Sequence, residues 1–140
     1  MANYLQLEEI IVNQLQNQTN RVTRVAKDIT TVESLNIKNI SEFPIAVLNT
    51  INGESTSQGQ YNLMYSLILI DYQGNKNEYK ERARANLIAI EQEAMLALNA
   101  IVDDIDLQGI SATVQANGET NVNGFNVRMK SIPLVFNLIK

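Results

Sequence analysis

The longest helical pattern in the chain runs from Asn75 to about Val102, NKNEYKERARANLIAIEQEAMLALNAIV. Tyr79, Ala83, Leu87, Ile90, Ala94, Leu98 and Ile101 recur at steps of four and three, so they share one face of a helix. A helix with a single apolar stripe must lay that stripe on another layer. Two apolar, strand-like runs precede the helix and two follow it, so the layer is a sheet drawn from both halves of the chain. The expected fold is α+β: a mostly antiparallel sheet of about four to five strands, with the long helix and an N-terminal helix packed on one face. At 140 residues, 45% of them hydrophobic, the chain suits one domain spanning 1–140 with a single core.

The other elements follow in order. Asn3 caps an expected helix from Tyr4 to Gln16, whose stripe is Tyr4, Leu7, Ile11 and Leu15, with Glu8 and Glu9 near its favourable N-terminal half. Arg21 to Val25 alternates basic and apolar residues. It reads as a charged edge strand that discourages aberrant pairing, with contact to a partner or a phosphate backbone as the alternative for Arg21, Arg24 and Lys27. Asp28 to Glu42 has no clean period and reads as an irregular segment tethered by its scattered apolar residues. Phe43-Pro44 opens a strand, Ile45 to Ile51, and the polar stretch Asn52 to Gln60 reads as a mobile hairpin loop. Tyr61 to Tyr72 is apolar on both faces, which demands cover on both sides. With both helices on one face, a neighbouring subunit is the expected cover for the other.

After the long helix come Asp103, Asp104 and Asp106, a strand from Ile110 to Ala116, turn dipeptides at Asn117-Gly118 and Asn123-Gly124 that make either two tight turns with a stub between them or one longer loop, and a last strand from Phe125 to Leu138. Phe125, Val127 and Met129 alternate in one phase and Ile132, Leu134, Phe136 and Leu138 in the other. That switch predicts a β-bulge or bend between Met129 and Ile132, beside Pro133. The long helix carries Lys76, Lys80, Arg82 and Arg84 in its first half and Glu91, Glu93, Asp103 and Asp104 in and beyond its second. This order opposes the helix dipole at both ends. It reads as solvated surface charge, or as charge that finds its match on a neighbouring subunit.

Composition narrows the chemistry. Histidine, cysteine and tryptophan are absent, and 11 basic residues stand against 15 acidic ones. The chain therefore lacks a thiolate nucleophile, a disulfide framework and the commonest general base and transition-metal ligand. It also lacks the basic face of a free-standing nucleic-acid binder. No glycines fall at phosphate-loop spacing. The acidic run 103–106 resembles the start of a calcium loop, but Gln108 and Val114 stand at its sixth and twelfth positions. The expectation is a soluble, cytoplasmically made protein with no signal peptide, no membrane segment, no cofactor and no catalytic site.

The order of elements resembles the tail terminator, or tail completion, proteins of tailed bacteriophages, including the Mu-type family of contractile tails. The stretches that carry the likeness are FPIAVLNTINGE, YNLMYSLILIDYQG followed by KERARANLIAIEQEAMLAL, and the closing pair ISATVQA and FNVRMKSIPLVFNLI. The resemblance implies a structural virion protein, assembled in the host cytoplasm, that forms a homohexameric ring at the tail–neck junction. Such a ring caps the tail tube, stops its polymerisation and presents a surface to the neck proteins and, in contractile tails, to the last sheath ring. DNA crosses its lumen without specific binding. The implied assembly contacts are Gly53, Glu54, Ser57 and Gly59 in the first loop, Lys80, Arg82 and Arg84 on the helix, Asp103 and Asp104 beyond it, and Asn117, Gly118, Asn123 and Gly124. Two alternatives stay open: another neck or head-completion connector, and a small cytoplasmic ligand-binding or carboxylate-dependent enzyme domain using Asp71, Asp103, Asp104 or Asp106.

Overall fold

The computed structural model describes residues 4–18, 21–29, 31–55, 60–99, 107–112 and 116–139. Helix α1 (Tyr4–Gln18) is followed by strand β1 (Arg24–Lys27), two short 3-10 turns (Val32–Leu35 and Ile40–Glu42), and strands β2 (Ile45–Ser55) and β3 (Gln60–Tyr72). Helix α2 (Asn77–Asn99) then leads to β4 (Leu107–Ala112), β5 (Ala116–Val122) and β6 (Phe125–Ile139). The sheet order is β1-β2-β3-β6-β4, with β5 also on β6. Only β1 and β2 pair in parallel; every other pair is antiparallel. The fold is α+β, as the helix stripe and its flanking strands required.

The sheet has a different core on each face. Leu67, Leu69, Ala46, Leu48, Ile132 and Leu134 point to the helices, where Leu87, Ile90, Ala94 and Leu98 of α2 and Ile11 and Leu15 of α1 close over them. Ile45, Val47, Ile70 and Val127 point the other way, onto Leu35, Ile37, Phe43 and Val122. The outer cover at this end is thus the irregular segment of the same chain, not a neighbouring subunit. Leu35, Ile37 and Phe43 are buried to within 7% exposure, which makes this segment a lid on the sheet. Its backbone polar groups are met at both ends. The Ile29 N–H donates to Asn49 Oδ1 at 3.0 Å, and the Ile37 N–H donates to Asn123 Oδ1 at 2.9 Å. Asn39 and Glu42 form a reciprocal capping box around the second 3-10 turn. Lys38 and Asn39 backbone N–H groups hold the Glu42 carboxyl below its usual value, the Lys38 bond contributing most, with Arg24 at 3.0 Å adding to the effect.

Two cores also explain the phase switch in β6, and they overturn the expected bulge. The β3–β6 register runs without a slip from Gln60↔Ile139 to Tyr72↔Val127. Phe125, Val127 and Met129 belong to the outer core, and Ile132 and Leu134 to the inner one. The strand stays regular while the buried side changes. The register shifts fall on shorter neighbours instead: between Thr50 and Asn52 in β2, between Leu107 and Gly109 in β4, and by one residue between β4 and β5.

Several boundaries differ from expectation. The first strand is Arg24–Lys27 rather than Arg21–Val25: pairing with β2 begins at Arg24 opposite Ile45, while Arg21 before it reaches Glu93 of α2 at 3.1 Å. Residues 52–55 are strand, not loop: Gly53 and Glu54 pair with Leu63 and Asn62. Ladder hydrogen bonds come from the backbone, so the polar composition did not exclude them. Ser57 and Gly59 lie outside the described residues, as do Asn3, Ile101, Asp103, Asp104 and Asp106. Asn117-Gly118 is not a turn but part of β5, opposite Lys130 and Met129. The turn is Asn123-Gly124 alone, with φ of 53° and 88°, the left-handed pair that a two-residue hairpin loop demands.

Leu98 and Leu96 give a direct test of how α2 is rotated, being fully buried and 74% exposed respectively. Leu98→Ala is expected to cost about 2–5 kcal/mol in urea unfolding, and Leu96→Ala no more than about 0.5 kcal/mol. Equal losses would mean the helix presents a different face to the sheet.

Candidate functional site

The first half of α2 lies over a polar floor rather than an apolar one. Asp71, at the end of β3, is 6% exposed and accepts hydrogen bonds from Asn86 Nδ2 at 3.0 Å and from the Tyr72 N–H at 2.9 Å. Burial pushes its carboxyl above the ordinary value, against the two hydrogen bonds and the nearby Arg82 charge, which pull the other way. Opposite Asp71 on β6 stands Arg128, whose guanidinium lies 3.7 Å from Glu119 of β5. Glu119 also faces Lys80 at 4.0 Å. Further along, Lys130 pairs with Glu91.

These pairs answer the reversed charge order of α2. Lys80, among its early cations, meets Glu119 on the sheet, and its later carboxylates Glu91 and Glu93 meet Lys130 and Arg21. Part of the charge that opposed the helix dipole, at Lys80, Glu91 and Glu93, is matched within the chain. Arg82 lies 4.8 Å and Lys76 5.7 Å from the centre of the Tyr79 ring, a cation–π arrangement on the first turns. Among the described residues neither Arg82 nor Arg84 makes a hydrogen bond or an ion pair; Arg82 has the Tyr79 ring and acts on the Asp71 carboxyl through its charge, and Arg84 has neither.

Arg84 opens onto a small cleft of about 120 Å³ lined with Leu87, Ile88, Arg128 and Lys130. The Arg128 Nε there is buried and has no hydrogen-bond partner. Ile88 also borders a broader depression with Glu91, Gln92, Met95 and Leu96. Ile88 is 42% exposed and Leu96 74%. The flank of α2 away from α1 is therefore a continuous strip, cationic at the Arg84 end and apolar toward Leu96.

The expected contact residues scatter around this strip. Lys80, Arg82 and Arg84 lie at or beside it. Gly118 is exposed on β5, and Gly53 and Glu54 sit in the hairpin ladder of β2 and β3. Asn123 is occupied within the chain: besides accepting from Ile37, its Nδ2 donates to the Glu33 carbonyl at 3.2 Å. Sequence reading passed over Ile88, Leu96 and Arg128. The signal for the first two was a second stripe at steps of four, Ile88, Gln92 and Leu96, running beside the main one. Arg128 carried no such signal, since its place depends on which residue of β3 it opposes.

Among the described residues, no group of three or more Asp and Glu side chains could hold a metal ion. None of their helices is long and apolar enough to cross a membrane. Neither a family model nor a curated protein matches this chain.

The raised Asp71 value has a definite sign. The folded chain holds this proton more tightly than the unfolded chain, so stability is lost as pH rises from the ordinary carboxylate range through the raised value. Asp71→Asn is expected to gain on the wild type in urea melts as pH rises above the ordinary carboxylate range. Parallel curves for the two proteins would show that burial does not penalise the Asp71 charge.

Proposed function

We propose that this chain is a structural subunit of a phage-like tail, a terminator that assembles head-to-tail into a ring, caps the tail tube and offers the neck its attachment surface. The observation that carries this reading is the exposed strip on α2. A Leu at 74% exposure and an Ile at 42% on one helix flank, with a cation left unpaired beside them, suit a protein contact better than solvent. The layered α+β subunit and the order of its elements agree with the resemblance to tail terminators, and the ring would be a homohexamer on that likeness. Tube, neck and sheath proteins would be its partners, and DNA would pass through the lumen without specific contacts. The carboxylate reading finds less support. Asp71 is spent on Asn86 and the Tyr72 amide beneath α2, where its oxygens already have donors.

Electron microscopy of the purified chain mixed with its tube protein is the test. A ring of six subunits at the tube end, with tube growth halted, is the expected result. A chain that stays monomeric and leaves tube length unchanged overturns the reading, and a subunit found on tail-less heads would make it a head-completion protein. Leu96→Asp sharpens the same test. On an exposed site it is expected to change folding stability by no more than about 0.5 kcal/mol, yet to reduce ring formation at least tenfold.

A further inference from the structure

We propose that Asn123 is a site of covalent modification: deamidation at Asn123-Gly124 frees the Glu33–Ile37 end of the lid from the sheet it covers. A ring is not required for it.

An asparagine followed by glycine is open to this chemistry because glycine has no Cβ to hinder its amide nitrogen from reaching the preceding side chain. The Gly124 nitrogen, having given its proton to hydroxide, attacks Cγ of Asn123. The Cγ–Nδ2 bond breaks, the nitrogen takes a proton from water and leaves as ammonia, and a cyclic imide remains. Water then opens either imide carbonyl, giving aspartate or isoaspartate. Nothing is oxidised or reduced, and water is the only reagent consumed. The chain has three Asn-Gly dipeptides, at 52–53, 117–118 and 123–124. Gly53 and Gly118 sit in strand ladders, opposite Leu63 and Met129. Asn123-Gly124 is the one that makes a turn, and both its residues are exposed.

Asn123 is also where the lid is latched. Its Oδ1 accepts from the Ile37 N–H at 2.9 Å, and its Nδ2 donates to the Glu33 carbonyl at 3.2 Å. Between those two contacts lies Leu35, which with Ile37 and Phe43 packs on Ile45, Val47, Ile70 and Val127. Deamidation removes the Nδ2 donor and sets a carboxylate oxygen against the Glu33 carbonyl, acceptor against acceptor. Isoaspartate goes further. It reroutes the backbone through the side-chain carbon, and the left-handed pair at φ 53° and 88° no longer closes the hairpin in the same place. Arg24 still holds the Leu35 carbonyl and Glu42, both at 3.0 Å, so release is confined to the Glu33–Ile37 end.

The same contacts set the rate. Asn121 Oδ1 accepts from the Gly124 N–H at 3.1 Å, and both polar atoms of the Asn123 amide are engaged. The attack therefore needs the latch to open first, and lid opening gates the reaction.

The test follows full-length protein at mildly alkaline pH, in native buffer and in urea, with peptide mass mapping of each Asn-Gly site. Deamidation at Asn123 is expected to be at least about tenfold slower in native buffer than in urea. Protein modified in urea is refolded, separated by its added negative charge and examined by hydrogen exchange. The Ile37 amide is expected to exchange at least about tenfold faster than in unmodified protein, with the β3–β6 ladder still protected. Asn123→Asp, which needs no urea step, supplies the aspartate product alone and is expected to raise Ile37 exchange at least about threefold. Equal deamidation rates in buffer and urea overturn the gating. Wild-type exchange at Ile37 in both the modified protein and Asn123→Asp overturns the latch, and so does loss of protection throughout the ladder.

Discussion

The unbroken ladder between β3 and β6 is the constraint on which the rest of the molecule depends. Thirteen consecutive residues of β3 oppose β6 without a register shift. Side chains alternate across a strand, so a slip of one residue would exchange the inner and outer faces of the whole pair. Both faces are buried here, by the helices on one side and by residues 31–43 on the other, and each therefore resists the slip. The irregularities are exported to β2, β4 and β5, which lie beside this pair and tolerate a bulge without moving a core.

That ladder also sets the electrostatics. It places Asp71 opposite Arg128, and the β5–β6 hairpin places Glu119 opposite Arg128 from the other side. α2 crosses above these residues, so Lys80 finds Glu119 in the sheet and the later carboxylates Glu91 and Glu93 find Lys130 and Arg21. A helix whose charges run against its dipole would lose a few tenths of a kcal/mol per exposed charge if left alone. Partners on the sheet offset that loss, although each exposed pair contributes only up to about 1 kcal/mol. Among the described residues the fold leaves Arg84 and one nitrogen of Arg128 without a partner beside an apolar strip from Ile88 to Leu96. A structural subunit and an enzyme differ in what they leave unspent. Here an exposed apolar strip beside Arg84 is the feature on which the proposed protein contact rests, and the buried Asp71 carboxylate on the helix side of β3 is already hydrogen-bonded.

Much of this architecture was legible in the residues themselves. The stripe Ala83, Leu87, Ile90, Ala94, Leu98 fixes α2 and the face it buries, because a period near 3.6 has one solution. The alternation in Tyr65 to Tyr72 identifies a strand covered on both sides, and Asn123-Gly124 marks the hairpin. The α+β class follows from these alone. Which chain covers the outer face was not legible, since Leu35, Ile37 and Phe43 have no period and owe their burial to distant partners such as Asn123. The switch of phase at Met129–Ile132 looked like a bulge for a related reason: one strand serving two cores gives the same one-dimensional pattern as a slipped strand. Only the pairing with β3 distinguishes them. Charges are the extreme case, because their effect depends on distance in space. The sequence by itself determined the two helices, the long strands and the face that α2 buries, through local periodicity. The tertiary structure alone decided which charges are matched, which face the chain covers for itself, and that Arg84, Ile88 and Leu96 remain open, because those depend on residues brought together across the sheet.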